Sequence, residues 1–164
     1  MRILGVDPGT INMGIGVIDD HEGDLSLVHA DVLTAARSGS LGERLYELFK
    51  ELRQSIESWL PEVVAVEEPF VAKNVRSAMA VGQAQAVAML AASEGGIPIF
   101  AYSPRAVKQA VTDYGGSTKE QVQEMVKVLL GAPDLETKAD ASDALAVAIC
   151  HVNAHRVKNL EVLN

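Results

Sequence analysis

Five acidic positions carry the chemistry open to this sequence. Asp7 closes the apolar run RILGVD, Glu67 and Glu68 close a second run in VVAVEE, and Asp140 and Asp143 stand three residues apart in ADASD. Carboxylates are hard oxygen donors, so a set of them brought together suits Mg²⁺ or Mn²⁺. Two such ions, roughly 4 Å apart, activate water and stabilise a leaving oxygen, which is what phosphodiester displacement requires. Each residue also has a plainer reading. Asp7 is a turn former ahead of Pro8 and Gly9, and Asp140 complements the dipole of a helix start. Taken together they favour a site, because carboxylates gathered without a cation repel one another.

The elements that must gather them are legible in the pattern of the chain. RILGVD (2–7) reads as a buried strand, PGTIN as a turn and MGIGVIDD (13–20) as the returning strand. LSLVHADVLT (25–34) extends the pair to an antiparallel meander. Gly9 in the first turn leaves room for an approaching phosphate. Leu41, Leu45, Leu48, Phe49, Leu52, Ile56 and Trp59 recur at helical spacing. A fourth strand in EVVAVEEPF, a small-residue helix from Asn74 to a glycine stop and a fifth strand in IPIFAY follow. Ser103 caps a short helix with Pro104 at its first position, and Ser117 or Thr118 caps the next. The last helix starts at ADASD and runs to about 157.

A helical crossover returns the fourth strand parallel to the first, so Asp7 meets the glutamate pair at neighbouring strand ends. Asp140 and Asp143 share one helix face. Position alone does not choose between Glu67 and Glu68. The predicted fold is α/β: a mixed five-stranded sheet, its first three strands antiparallel, with helices on both faces. Residues 1–157 form one domain and 158–164 a short tail.

Composition bounds the partners. A chain of 164 residues, 48% hydrophobic, suits one domain with a sizeable core. Its longest apolar stretches, such as ALAVAIC at 144–150, are too short to span a bilayer. The start lacks a basic segment followed by an apolar one, so no signal peptide and a cytoplasmic location are expected. Cys150 is the single cysteine, which excludes an internal disulfide and reads as a buried small hydrophobe. The net charge of −8 lies wholly in residues 1–70, with 5 basic and 13 acidic groups, whereas 71–140 holds 7 of each. Acidity of this size is unusual for nucleic-acid binding, yet Lys73, Arg76, Arg105, Lys108, Lys119 and Lys127 are available for a local basic face. His151 and His155 have i, i+4 spacing but lack the glutamate of HExxH, and lie too far along the helix to join Asp140 at one metal.

GVDPGTINMGIGVID, VVAVEEPF, KNVRSAMAVGQAQAV, RAVKQAV and ADASDALAVAI resemble, in order and over nearly the whole chain, the RuvC family of bacterial Holliday-junction resolvases, within the ribonuclease H-like superfamily. The resemblance implies a ribonuclease H-like fold and matches the family's four acidic metal positions to Asp7, Glu67, Asp140 and Asp143, which selects Glu67 over Glu68. Some relatives carry His at the position of Asp140, a changed ligand in a retained site. The resemblance further implies that Phe70 meets bases and that Lys108 and Lys119 act at the scissile phosphate. Lys73, Arg76 and Arg105 are then contacts to the DNA backbone.

The implied activity is a Mg²⁺-dependent endodeoxyribonuclease, with two ions per subunit and Mn²⁺ able to substitute. It nicks opposed strands of a four-way junction to leave 5′-phosphates and 3′-hydroxyls. A homodimer and work with the RuvA–RuvB branch-migration complex are implied as well, and no membrane. The small-residue helix SAMAVGQAQAVAMLAA is the candidate dimer interface, although packing within one subunit explains the same composition. Three other functions compete. The opening segment also resembles the first phosphate loop of actin-like and sugar-kinase ATPases, which need a second loop and an adenosine motif that this chain lacks. A ribonuclease H-like nuclease of another specificity and a non-catalytic junction-binding module are the others.

Overall fold

The computed structural model describes residues 1–69 and 75–162, with side chains to 157, so the predictions for Phe70 and Lys73 lie outside the described residues. Ten elements follow in order: β1 (Arg2–Asp7), β2 (Asn12–His21), β3 (Asp24–Thr34), α1 (Leu41–Trp59), β4 (Val63–Glu67), α2 (Val75–Glu94), β5 (Ile99–Tyr102), α3 (Pro104–Thr112), α4 (Lys119–Leu129) and α5 (Ala139–Val162). The sheet order is β3-β2-β1-β4-β5. β2 runs antiparallel to β1 and β3, while β4 runs parallel to β1 and β5. This is the mixed five-stranded sheet expected from the sequence.

Helix starts are fixed by local hydrogen bonding. Ser40 accepts from the Glu43 N–H while Glu43 bonds back to the Ser40 N–H, a capping box that opens α1. Ser103 accepts from Ala106 N–H and Pro104 follows it at the start of α3. Thr118, rather than Ser117, caps α4 through a second box with Gln121.

Strand alternation divides the apolar side chains between two faces. Leu4, Val6, Val64 and Val66 pack under α1 and α2 with Leu48, Leu52, Ala88 and Ala91. Ile3, Val63 and Ala65 pack under α3, α4 and α5 with Val107, Val126 and Leu145. α5 lies unusually close to the sheet because glycines clear its path. A Cβ on Gly5 would strike the Ala144 carbonyl oxygen, and one on Gly14 would strike that of Asp140. Gly9 serves its own turn: a Cβ there would collide with the Asn12 carbonyl oxygen, so the tight reversal requires it, and clearance for a phosphate is not needed to explain it.

The small residues of α2 are used inside the subunit. Ala78, Ala84, Ala88, Ala91 and Ala92 are all buried, whereas Met79, Met89 and Leu90 on the opposite face are exposed. No helix among the described residues is long and apolar enough to cross a membrane.

Candidate active site

The parity of the strands decides which carboxylates meet. Asp7 follows Ile3 and Gly5 on the face that α5 covers, and Glu67 follows Val63 and Ala65 on the same face. Glu68 falls past the end of β4 and is exposed. β1 and β4 are neighbours in register up to Val6 and Val66, so Asp7 and Glu67 end adjacent parallel strands. The N-terminal turn of α5 brings Asp140 and Asp143 over that edge.

Asp7, Asp140 and Asp143 each offer a carboxylate oxygen within 4.8 Å of the others. Glu67 lies outside this tight triad but lines the same cleft of about 270 Å³, together with Asp7, Asp143, Lys108 and Lys119. Pro104, Val107, Val122 and Ala146 give the cleft apolar walls. Those wall residues were not recognisable beforehand, since in sequence they are ordinary helix and cap positions.

Crowding of like charge in a half-buried cleft shows in the proton affinities. The Asp7 carboxyl is pushed up to about 7, first by burial and then by the charges of Glu67, Asp143 and Asp140. Glu67 is raised by burial and by Asp143, against the opposing pull of Lys119 and Lys108. Lys119 donates to Asp143 Oδ2 at 2.8 Å, and that bond raises the Lys119 pKa. One ammonium thus meets one of four carboxylates, and the negative charge left over is what a divalent cation neutralises. The oxygen-only donor set and its spacing fit Mg²⁺ or Mn²⁺.

The other basic positions scatter. Arg76 at the start of α2 and Arg105 on α3 are exposed and line no part of this cleft. Lys127 faces Glu124 at 3.3 Å, one turn along α4. Of the histidine pair, His151 is 3% exposed and its Nδ1 lies 2.8 Å from the Tyr102 hydroxyl, and among the described residues neither histidine joins a group of side chains spaced to hold a metal. Cys150 is buried, and burial pushes its thiol up to about 12, the inert hydrophobe expected.

Residues 3–151 match the family model "Crossover junction endodeoxyribonuclease RuvC". The chain belongs to the RuvC family. The crossover junction endodeoxyribonuclease RuvC of Chloroflexus aggregans is 50% identical over 151 residues, covering 92% of each chain. That of Dehalococcoides mccartyi is 47% identical over 156 residues, 95% of this chain and 94% of the other. Among solved structures, T. thermophilus RuvC in complex with a Holliday junction substrate superposes with a TM-score of 0.89 at 33% identity, covering 96% of each chain. The yeast mitochondrial Holliday junction resolvase Ydc2, 14% identical with a TM-score of 0.62, shares the fold.

Proposed function

We propose that this RuvC family member resolves four-way DNA junctions by metal-dependent hydrolysis of one phosphodiester per subunit. The observation that carries the reading is a single cleft in which Asp7 and Asp143 meet Glu67, Lys108 and Lys119, with Asp140 completing the triad. Asp7, Glu67, Asp140 and Asp143 would hold two Mg²⁺ ions, Mn²⁺ being able to replace them. Bound there, the ions supply water activation and charge neutralisation at the leaving oxygen.

The chain's own residues do the positioning. The carboxylates sit on strand ends and a helix start, rigid elements that hold them ready for in-line displacement. Lys108 and Lys119 flank the acidic floor and hold the scissile phosphate. Lys119 is 67% exposed at its side chain and so can exchange Asp143 for a phosphate oxygen. Phe70, Lys73, Arg76 and Arg105 are proposed as DNA contacts, supported by the family's motifs.

Two symmetric cuts need two sites, so the active form proposed is a C₂ homodimer. The supporting surface is an apolar groove between α1 and α2, lined by Leu45, Tyr46, Phe49, Val87 and Leu90, with Met79 and Met89 also exposed on α2. A single domain over 1–157 with a short tail over 158–164, a cytoplasmic location and collaboration with RuvA and RuvB complete the proposed reading, and the family resemblance supports them.

Two variants test it. Asp7→Asn and Glu67→Gln should each lose Mg²⁺-dependent junction cleavage while keeping junction binding in EDTA. Cleavage by either at a near wild-type rate would overturn the metal assignment.

A further inference from the structure

The cleft is built from two bodies that must stay in register. Glu67 comes from β4, while Asp140 and Asp143 come from α5. The lateral support of Glu67 is one-sided: the β1–β4 ladder stops at Val6 and Val66, whereas the β4–β5 ladder continues to the pair Glu67 and Tyr102. The Glu68 N–H, just beyond, donates to the Tyr102 carbonyl at 2.8 Å. The strand end bearing Glu67 is therefore as well placed as β5. That strand has four residues and lies at the sheet edge.

A polar contact fastens β5 to α5. The Tyr102 hydroxyl and His151 Nδ1 share a hydrogen bond of 2.8 Å. The His151 ring also packs at 4.9 Å from Phe100, one side chain further back on the same face of β5. His151 is eight residues after Asp143, about 12 Å along one unbroken helix. Val63, Ala65, Val147 and Cys150 belong to the buried apolar cluster on this face of the sheet, and the His155 ring stacks 6.0 Å from that of His151. A leucine or phenylalanine would fill such space without desolvating an imidazole, so the buried pair carries directional information that packing alone lacks. Burial pushes the Tyr102 phenol up to about 12, so it keeps its proton.

We propose that Tyr102 and His151 are positioning residues: their hydrogen bond sets the Glu67 strand end against the α5 carboxylates and thereby tunes the affinity of the cleft for divalent cations. The proposal rests on the metal reading above. Removing the strut should leave all four carboxylates present but let Glu67 drift relative to Asp143.

The test is Mn²⁺ binding by calorimetry on the full chain without DNA, alongside thermal unfolding in EDTA and the Mg²⁺ concentration that half-saturates junction cleavage. Tyr102→Phe deletes one oxygen and keeps the ring. It should weaken Mn²⁺ binding between about twofold and tenfold, the span one net hydrogen bond corresponds to, and raise the Mg²⁺ requirement by a similar factor. His151→Leu should do the same, whereas His151→Gln, whose amide can donate or accept, should recover most of the affinity. Junction binding in EDTA should not change. Unaltered Mn²⁺ affinity in Tyr102→Phe, with or without a drop in Tm, would reduce the pair to a structural fastening and overturn the proposal. Asp7→Asn separates the two readings. If the wild type binds Mn²⁺ no better than this variant, the metal site itself fails and the strut with it.

Discussion

Asp7→Asn should make the cation-free protein more stable while it abolishes cleavage. In the folded chain the Asp7 carboxyl titrates near 7, against an ordinary value of 3.8, because burial and the charges of Glu67, Asp143 and Asp140 oppose its ionisation. Each unit is worth about 1.4 kcal/mol, so an ionised Asp7 costs the fold at most about 4 kcal/mol at pH 8. Side-chain relaxation and water entry lower that ceiling, leaving roughly 1–3 kcal/mol and a Tm higher by about 3–10 °C for the amide variant. The pH dependence has a definite sign. A carboxyl whose folded pKa is raised contributes most stability below its unfolded pKa, near 4, and loses it as pH rises through about 7. The gain of Asp7→Asn over wild type should therefore be largest at pH 8, shrink as the pH falls below 7 and nearly vanish at pH 4. Thermal unfolding in EDTA at pH 4, 6 and 8 measures it. Adding Mg²⁺ at pH 8 should reverse the order, since only the wild type gains a bound cation. A variant no more stable than wild type in EDTA at pH 8, or a gain independent of pH, would refute the claim that Asp7 is held in a repulsive acidic cluster.

Three further outcomes follow from the same geometry. Glu67→Gln should lose cleavage while Glu68→Gln keeps it, measured on one junction substrate, because only Glu67 shares the α5 face of the sheet. Gly14→Ala forces a Cβ into the Asp140 carbonyl and should cost about 1–3 kcal/mol in denaturant unfolding, with cleavage falling further than stability alone explains. Neutralising Lys108 and Lys119 together should flatten the salt dependence of junction affinity by about two if both touch phosphates, each contact contributing roughly 0.9 to the slope. An unchanged slope would show that neither side chain holds a phosphate in the bound junction and would contradict the role proposed for them.

Much of this was legible in the chain because the governing signals are local. Apolar runs of strand length, Ser103 ahead of Pro104, and the helical spacing from Leu41 to Trp59 each specify an element without reference to the rest of the fold. The right-handed crossover rule then fixed which strand ends meet, and so paired Asp7 with the glutamates. Non-local geometry was not legible. Choosing Glu67 over Glu68 from the residues alone required knowing that Ile3, Val63 and Ala65 face α5. The glycines at 5 and 14 lie inside the runs read as strands and gave no signal of their own, yet they clear the path of a helix more than a hundred residues later in the chain. The stripe of alanines on α2 suggested close approach to another subunit, but the subunit's own core takes it, and larger exposed side chains occupy the outer face. Tyr102 and His151 carried no sequence signal as a pair, because their contact depends on where α5 crosses the sheet edge.

The central claim is that the acidic cleft is a junction-directed nuclease site. It is tested most directly by incubating the purified chain with Mg²⁺ and an end-labelled synthetic four-way junction, a matched duplex, a replication fork and, separately, ATP. The reading predicts paired nicks in opposed strands of the junction, 5′-phosphate and 3′-hydroxyl ends, strict dependence on the cation, and little turnover of duplex, fork or ATP. Binding without cutting under any divalent cation, equal cutting of duplex and junction, or hydrolysis of ATP would contradict it.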